Sequence, residues 1–218
     1  MDLSYFFSLF RLLADGLGTT LALFFVTLIL SIPLGLLISF LRTSKTPILR
    51  GISGVYVWIL RGTPLLLQLY FFFFGLPKIP FLGQFLVMDR LQAACWAFVL
   101  NYAAYFAEIF RGGMLSIDKG QYEAAQVLGF SRWQTLKNLT IPQMLRVCLP
   151  AISNEAITLV KDTALVTALG VTDILYFAKH AVNRDADTTA FLVAAVFYLA
   201  MSYVVTKVFD RLERKCKF

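Results

Sequence analysis

A chain of 218 residues with 59% hydrophobic and only 15% charged side chains lacks the charge to cover a water-soluble surface, because soluble domains carry about 25%. A bilayer removes that difficulty, since lipid solvates apolar side chains. The 20 Lys and Arg exceed the 13 Asp and Glu, giving a net charge of +7, but they form no basic stripe or RNA-binding motif, so the composition points to loops on the cytoplasmic side of a membrane and not to nucleic acid.

In chain order, the first apolar run is Leu17–Leu41, uncharged and longer than the core of a signal peptide, so it reads as a retained span. Pro33 and Gly35 inside it predict a bend. A second span lies within Ile52–Leu76, interrupted by Arg61, Gly62 and Pro64, with Arg61 expected near the inner surface in a structural role. Its aromatic run Tyr70–Phe74 reads as a lipid-facing belt at the outer interface. A third span covers about Leu91–Phe110, a fourth about Leu149–Val171 and a fifth about Thr188–Val208. Nothing has the two-residue alternation of a barrel strand, so the expected fold is an all-α integral membrane protein with five transmembrane helices. No repeat or linker divides it, and residues 1–218 form one domain. Thirteen of the Lys and Arg residues fall on the side of the first and third connections and the C-terminal tail, against five on the other side. That bias predicts an outer N-terminus and a cytoplasmic C-terminus. Cys95, Cys148 and Cys216 show neither metal nor disulfide spacing and read as reduced thiols.

The connection after the third span, about residues 111–146, is too long to be passive. Asp118 predicts a cap on a helix Lys119–Leu128, with Gly129 at its C-terminal end. Ser131 predicts the start of a second helix, Arg132–Leu139, which Pro142 helps end. Small Ala124 and Ala125 would let a partner approach closely, and Glu123 offers it a carboxylate.

The stretch Gly120-Gln121-Tyr122-Glu123-Ala124-Ala125, with Gly129 four residues on and Leu139-Thr140-Ile141-Pro142 beyond it, resembles the EAA loop of ABC importer permeases. Ile141 replaces the usual Leu of that family's closing motif, a volume-conserving exchange. Three further segments resemble the polar amino-acid permeases: Arg61-Gly62-Thr63-Pro64-Leu65-Leu66, the stretch from Ala104 to Gly113, and Lys161-Asp162-Thr163-Ala164-Leu165, where Ala164 stands in place of the usual Ser. Together these cover roughly Leu17 to Val208.

The resemblance implies a type I importer (MetI-like) fold in the bacterial inner membrane. It also implies a second permease subunit, identical or related, two ATPase subunits and an extracytoplasmic amino-acid-binding protein. By the same resemblance, the segment around Glu123–Gly129, with Gly120, Gln121, Ala124, Ala125 and Pro142, is a coupling helix that docks on the ATPase. Transport would proceed by alternating access. The chain has no Gly-x-x-x-x-Gly-Lys-Ser/Thr loop to cradle nucleotide, so ATP and Mg belong to the partner subunit and no catalytic residue is expected here.

Ionisable groups at bilayer depth face protein or a pathway. Glu155 and Asp162 are two helical turns apart and share a face. With Asn101 they are candidates for a pocket that receives the cation of a polar, cationic amino acid, with glutamine left open. Lys161 is off that face. It and Asp162 are equally readable as a structural pair with each other or with Arg61. The sole histidine, His180, falls outside the spans, which argues against an intramembrane enzyme.

Overall fold

The computed structural model describes residues 3–216; Lys217, one of the thirteen cations, and the side chain of Cys216 lie outside the described part. The described chain is helical, with no strand. Its helices are α1 (Leu3–Ala14), α2 (Leu17–Arg42), α3 (Pro47–Gly62), α4 (Leu65–Tyr70), α5 (Arg90–Leu115), α6 (Lys119–Val127), α7 (Arg132–Thr135), α8 (Ile141–Asp162), α9 (Ile174–Asp185) and α10 (Thr189–Cys216). Three spans, α2, α5 and α10, are single long helices, and two are bent pairs, giving five.

At the centre, α5 packs on α2. Its 26 residues reach about 39 Å at 1.5 Å each, enough to cross the hydrocarbon. Ala97, Ala103, Ala104 and Ala107 on α5 are fully buried. Gly35 of α2 meets this alanine face so closely that a β-carbon there would lie 2.6 Å from Phe106 Cβ. Lipid offers no hydrophobic drive for helices to pair, so small residues that admit close backbone contact supply the packing. Pro33 and Gly35 leave α2 one uninterrupted helix, and Gly35 serves helix contact. Phe25, Ile29, Leu30 and Leu37 on the other side of α2 are exposed, as are Leu192, Leu199 and Tyr203 on α10; these faces suit acyl chains.

The second span is broken as the sequence suggests. The segment Leu65–Lys78 leaves α3 at 106°. Thr63 is extended, as a residue before proline must be, and Pro64 offers no N–H. Two carbonyls at the break, those of Leu60 and Thr63, find side-chain partners. The Gln68 amide donates to the Leu60 carbonyl (2.9 Å), the Thr63 carbonyl (3.2 Å) and the Thr63 hydroxyl (2.9 Å). Asn101 donates to the same Leu60 carbonyl (2.9 Å) and to Gln68 Oε1 (3.0 Å). Beyond α4 the chain passes through a π turn, Phe71–Gly75, where Phe71 and Phe74 are exposed but Phe72 and Phe73 pack on the core. With Tyr70, three of the five rings of the aromatic belt are therefore exposed and two are packed inward.

The fourth span starts earlier and ends later than expected. It runs through α8 and a 3-10 stretch, Thr163–Leu169, to Gly170, whose φ of +73° turns the chain, and α9 continues at 55°. Buried Asp173 caps α9, accepting from the amides of Tyr176 (2.9 Å) and Leu175 (3.3 Å) and from the hydroxyls of Thr167 (2.5 Å) and Tyr198 (3.3 Å). Gly16 sits against the same backbone, 2.5 Å from the Asp173 carbonyl carbon for a hypothetical β-carbon. Neither α1 nor α9 is evident from the sequence, since each is too short to read as a span. Leu9 and Leu13 of α1 are buried with Ile174, Ala178 and Ala181 of α9, and Tyr5 donates to Asp185 at 2.8 Å. Cys95 and Cys148 are free thiols.

Candidate functional site: a charged cleft and a helical elbow

The break in span two opens towards α5 and the last turns of α8. It leaves a cleft of about 540 Å³ lined by Arg61, Asn101, Tyr102, Tyr105, Glu155, Thr158 and Asp162, with the Gly62–Leu65 bend as one wall. Helical spacing explains the lining: 101 and 105 lie one turn apart on α5, and 155, 158 and 162 share one face of α8. Asn101 stands 11 residues from Arg90 at one end of α5, about 16 Å along the axis, which puts the cleft near mid-bilayer. Glu155, Asp162 and Asn101 are thus brought together as the sequence pattern suggests.

Three details differ from expectation. Lys161 is exposed and does not line the cleft. Asp162 forms no ion pair with Lys161 or Arg61 among the described residues; its carboxylate accepts from the Tyr102 hydroxyl at 2.7 Å. Both amide hydrogens of Asn101 are committed to the helix break, so its part in the cleft is to hold the wall. The largest correction concerns Arg61. It is not at the inner surface but inside the cleft, 5.1 Å over the Tyr105 ring, near enough to Glu155 for the two charges to interact. Its distance along α3 carried the signal: 14 residues from Pro47 is about 21 Å, too deep for an interface. Tyr102 and Tyr105 were missed because aromatic residues in a span read as core.

A second hollow of about 430 Å³, lined by Arg42, Gly54, Trp58 and Glu108, shares Arg61, Gly62 and Tyr105 with the first. The second hollow lies on the side of the first towards the end of α5 that carries Glu108. There Glu108 accepts from Arg42 on α2 at 3.0 Å and from Arg111 at 2.7 Å, locking the ends of α2 and α5 together.

Past that end the chain forms an elbow built from local signals. Asp118 caps α6, accepting from the Gly120 amide at 2.7 Å. Gly129, at φ +75°, ends it, with Phe130 N–H bonded to Ala125 O (2.9 Å) and Gly129 N–H to Gln126 O (3.0 Å), the paired bonds of a Schellman turn. Ser131 and Gln134 cap α7 reciprocally at 3.2 and 2.8 Å. Gln143 donates to Gln121 at 2.5 Å, tying α6 to α8.

Pro142 does not end a helix. It sits in the first turn of α8, and a π turn at Leu136–Thr140 carries α7 into it; the wider turn absorbs the proline's missing donor. Ala125 faces inward, whereas Gly120, Gln121, Glu123 and Ala124 are exposed. Around them stand Val127 (88% exposed), Leu128 (73%) and Trp133 (68%). These three exposed apolar side chains are absent from the motif that drew attention to the loop.

Comparison with known proteins agrees with this architecture. The family described as binding-protein-dependent transport system inner membrane component matches residues 31–218. The chain is 38% identical over 207 residues to the arginine transport system permease protein ArtQ of Bacillus subtilis, covering 93% of this chain and 91% of that protein. It is 35% identical over 207 residues to the glutamine transport system permease protein GlnP of Escherichia coli, covering 94% and 93%. It superposes with a TM-score of 0.88 and 29% identity on a chain of the crystal structure of an amino acid ABC transporter with histidines, covering 99% of both. The chain belongs to the family of binding-protein-dependent transport system inner membrane components, as an ABC permease of the amino-acid group with a type I importer fold.

Proposed function

We propose that this chain is the permease subunit of an ATP-driven importer of cationic L-amino acids, and that the mid-membrane cleft is where the substrate pauses. The observation that carries this reading is the charge content of the cleft, one guanidinium (Arg61) and two carboxylates (Glu155 and Asp162). A cationic amino acid offers the complement: one carboxylate, one ammonium and a second cation on its side chain. Arg61 receives the α-carboxylate, for which its planar fork is suited. Glu155 and Asp162 receive the two cations, and Tyr105 supplies an aromatic face. A neutral substrate such as glutamine leaves one carboxylate unmatched, a penalty in a site of low dielectric. The names of the relatives, one for arginine and one for glutamine, frame the choice.

In this reading Asn101 supports the wall, and Lys161, outside the cleft, tunes the field from nearby. Residues 111–146 act as the cytoplasmic coupling segment of a single domain spanning residues 1–218, with the N-terminus outside. Gly120, Gln121, Glu123 and Ala124 present the surface that docks on an ATPase subunit, joined by Val127, Leu128 and Trp133; Ala125, Gly129 and Pro142 shape it. Two such ATPase subunits bind ATP and Mg, a second permease stands alongside, identical or related, and an extracytoplasmic binding protein delivers the amino acid. Closure of the ATPases draws the elbows together and switches the cleft from one side to the other.

The test is uptake of labelled arginine, lysine and glutamine by proteoliposomes holding the complete transporter. Glu155→Gln and Asp162→Asn each weaken apparent affinity for arginine and lysine about 10- to 100-fold, as expected for loss of one charged hydrogen bond, while glutamine is less affected. Arg61→Gln weakens all three. An unchanged preference among the three substrates in the Glu155 and Asp162 variants overturns the assignment.

A further inference from the structure

Another hollow among the described residues is larger than the charged cleft. It lies between the elbow and the ends of α2 and α5, has a volume of about 880 Å³, and is walled by Phe40, Met114, Tyr122 and Phe130, with Lys119 and Arg132 at its rim. Phe40 lies in the last turn of α2 and Met114 in the last turn of α5, so the hollow opens at the level where hydrocarbon gives way to headgroups. The face of α6 that lines it, through Lys119, Tyr122 and Gln126, recurs at helical spacing, while Ala124 and Val127 fall on the other side of that helix. The hollow is therefore on the membrane side of the elbow.

Its charge is one-sided. Among the described residues neither the Lys119 nor the Arg132 side chain has a hydrogen bond or ion pair, and no carboxylate lines the space. The nearest acid in sequence, Asp118, is occupied in capping the Gly120 amide. Two uncompensated cations over an apolar chamber, placed at a membrane interface, need an anion with an apolar tail.

We propose that this hollow binds an anionic phospholipid of the cytoplasmic leaflet. Its phosphate sits between Lys119 and Arg132, and one acyl chain enters between Phe40, Met114 and Phe130. The lipid fills the space behind α6 and braces the elbow against the membrane. The leaflet assignment rests on the orientation proposed above; occupancy of the hollow does not.

Native mass spectrometry of the assembled transporter, purified in detergent and supplied with phosphatidylglycerol or phosphatidylcholine, tests this without reference to topology. The complex retains phosphatidylglycerol in preference to phosphatidylcholine. The double variant Lys119→Gln, Arg132→Gln lowers that retention about thirty-fold, at roughly fivefold per cation. The charge-keeping pair Lys119→Arg, Arg132→Lys retains it, which separates loss of charge from misfolding. Removing two cations at the end of α10, Lys207→Gln with Arg211→Gln, leaves it unchanged.

Equal retention of the two lipids overturns the proposal, as does loss in the charge-keeping pair or loss in the α10 pair instead. Displacement of phosphatidylglycerol by inorganic phosphate identifies a site for a free anion, and the proposal then fails. Retention by the permease alone that vanishes on adding the ATPase assigns the hollow to that subunit, with the same result. An inverted orientation is read separately, by labelling of single cysteines from either side, so the two failures are distinguishable.

Discussion

The cleft and the elbow are built in opposite ways. The cleft draws Arg61 from α3, Tyr102 and Tyr105 from α5, and Glu155 and Asp162 from α8, residues about a hundred positions apart that meet only when the spans pack. The elbow is made by neighbours: Asp118 with Gly120, Ala125 with Phe130, Ser131 with Gln134. A site assembled from distant charges is sensitive to packing and to electrostatics in low dielectric. One assembled from caps and turns loses stability in small, separable steps. Substitutions in the two regions therefore fail differently.

The sharpest contrast comes from the double variant Glu155→Gln, Asp162→Asn. Arginine uptake falls by more than about 100-fold when two charged contacts are lost, yet limited proteolysis at the elbow is unchanged, because no local bond there depends on the cleft. Packing is the next lever. Gly35→Val inserts a branched side chain where even a β-carbon meets Phe106 at 2.6 Å. Overpacking of that kind costs about 1–3 kcal/mol or more, seen as a lower melting temperature of the purified complex together with lost transport. In the elbow, Gly129→Val places a branched residue at φ +75° and costs about 1–2 kcal/mol. A β-carbon there would meet nothing within 4 Å, so the complex stays assembled and the effect appears as ATP hydrolysis no longer matched to uptake. The smallest effect is Ser131→Ala, which removes one cap and about 1 kcal/mol; it is read as faster amide exchange over α7 with substrate affinity intact. If Ser131→Ala alters substrate preference, or the cleft variant exposes the elbow to protease, the two regions are not separable in this way.

The same contrast explains what was legible in the sequence. The caps at Asp118 and Ser131 and the turn at Gly129 were readable because each is a bond between near neighbours. Spans α2, α5 and α10 were readable because length and apolarity alone define them. Glu155 and Asp162 could be paired because they share one helix. The depth of Arg61, by contrast, depends on α3 beginning at Pro47, five residues before the apolar stretch that marked it. The donation of Asn101 to Leu60 depends on where the second span bends. Two short amphipathic helices, α1 and α9, make sense only once each has the other to bury Leu9, Leu13 and Ile174.

The bend after Gly62 has one more consequence. In hydrocarbon an opened turn ordinarily recruits water or a neighbouring hydroxyl to satisfy its stranded carbonyls. Here two side-chain amides, Gln68 and Asn101, do so from within the protein, and Asn101 is anchored on the central helix. With those partners in place the Leu60 and Thr63 carbonyls need no water from the cleft, so solvent entering or leaving it does not by itself strand these two groups of the corner.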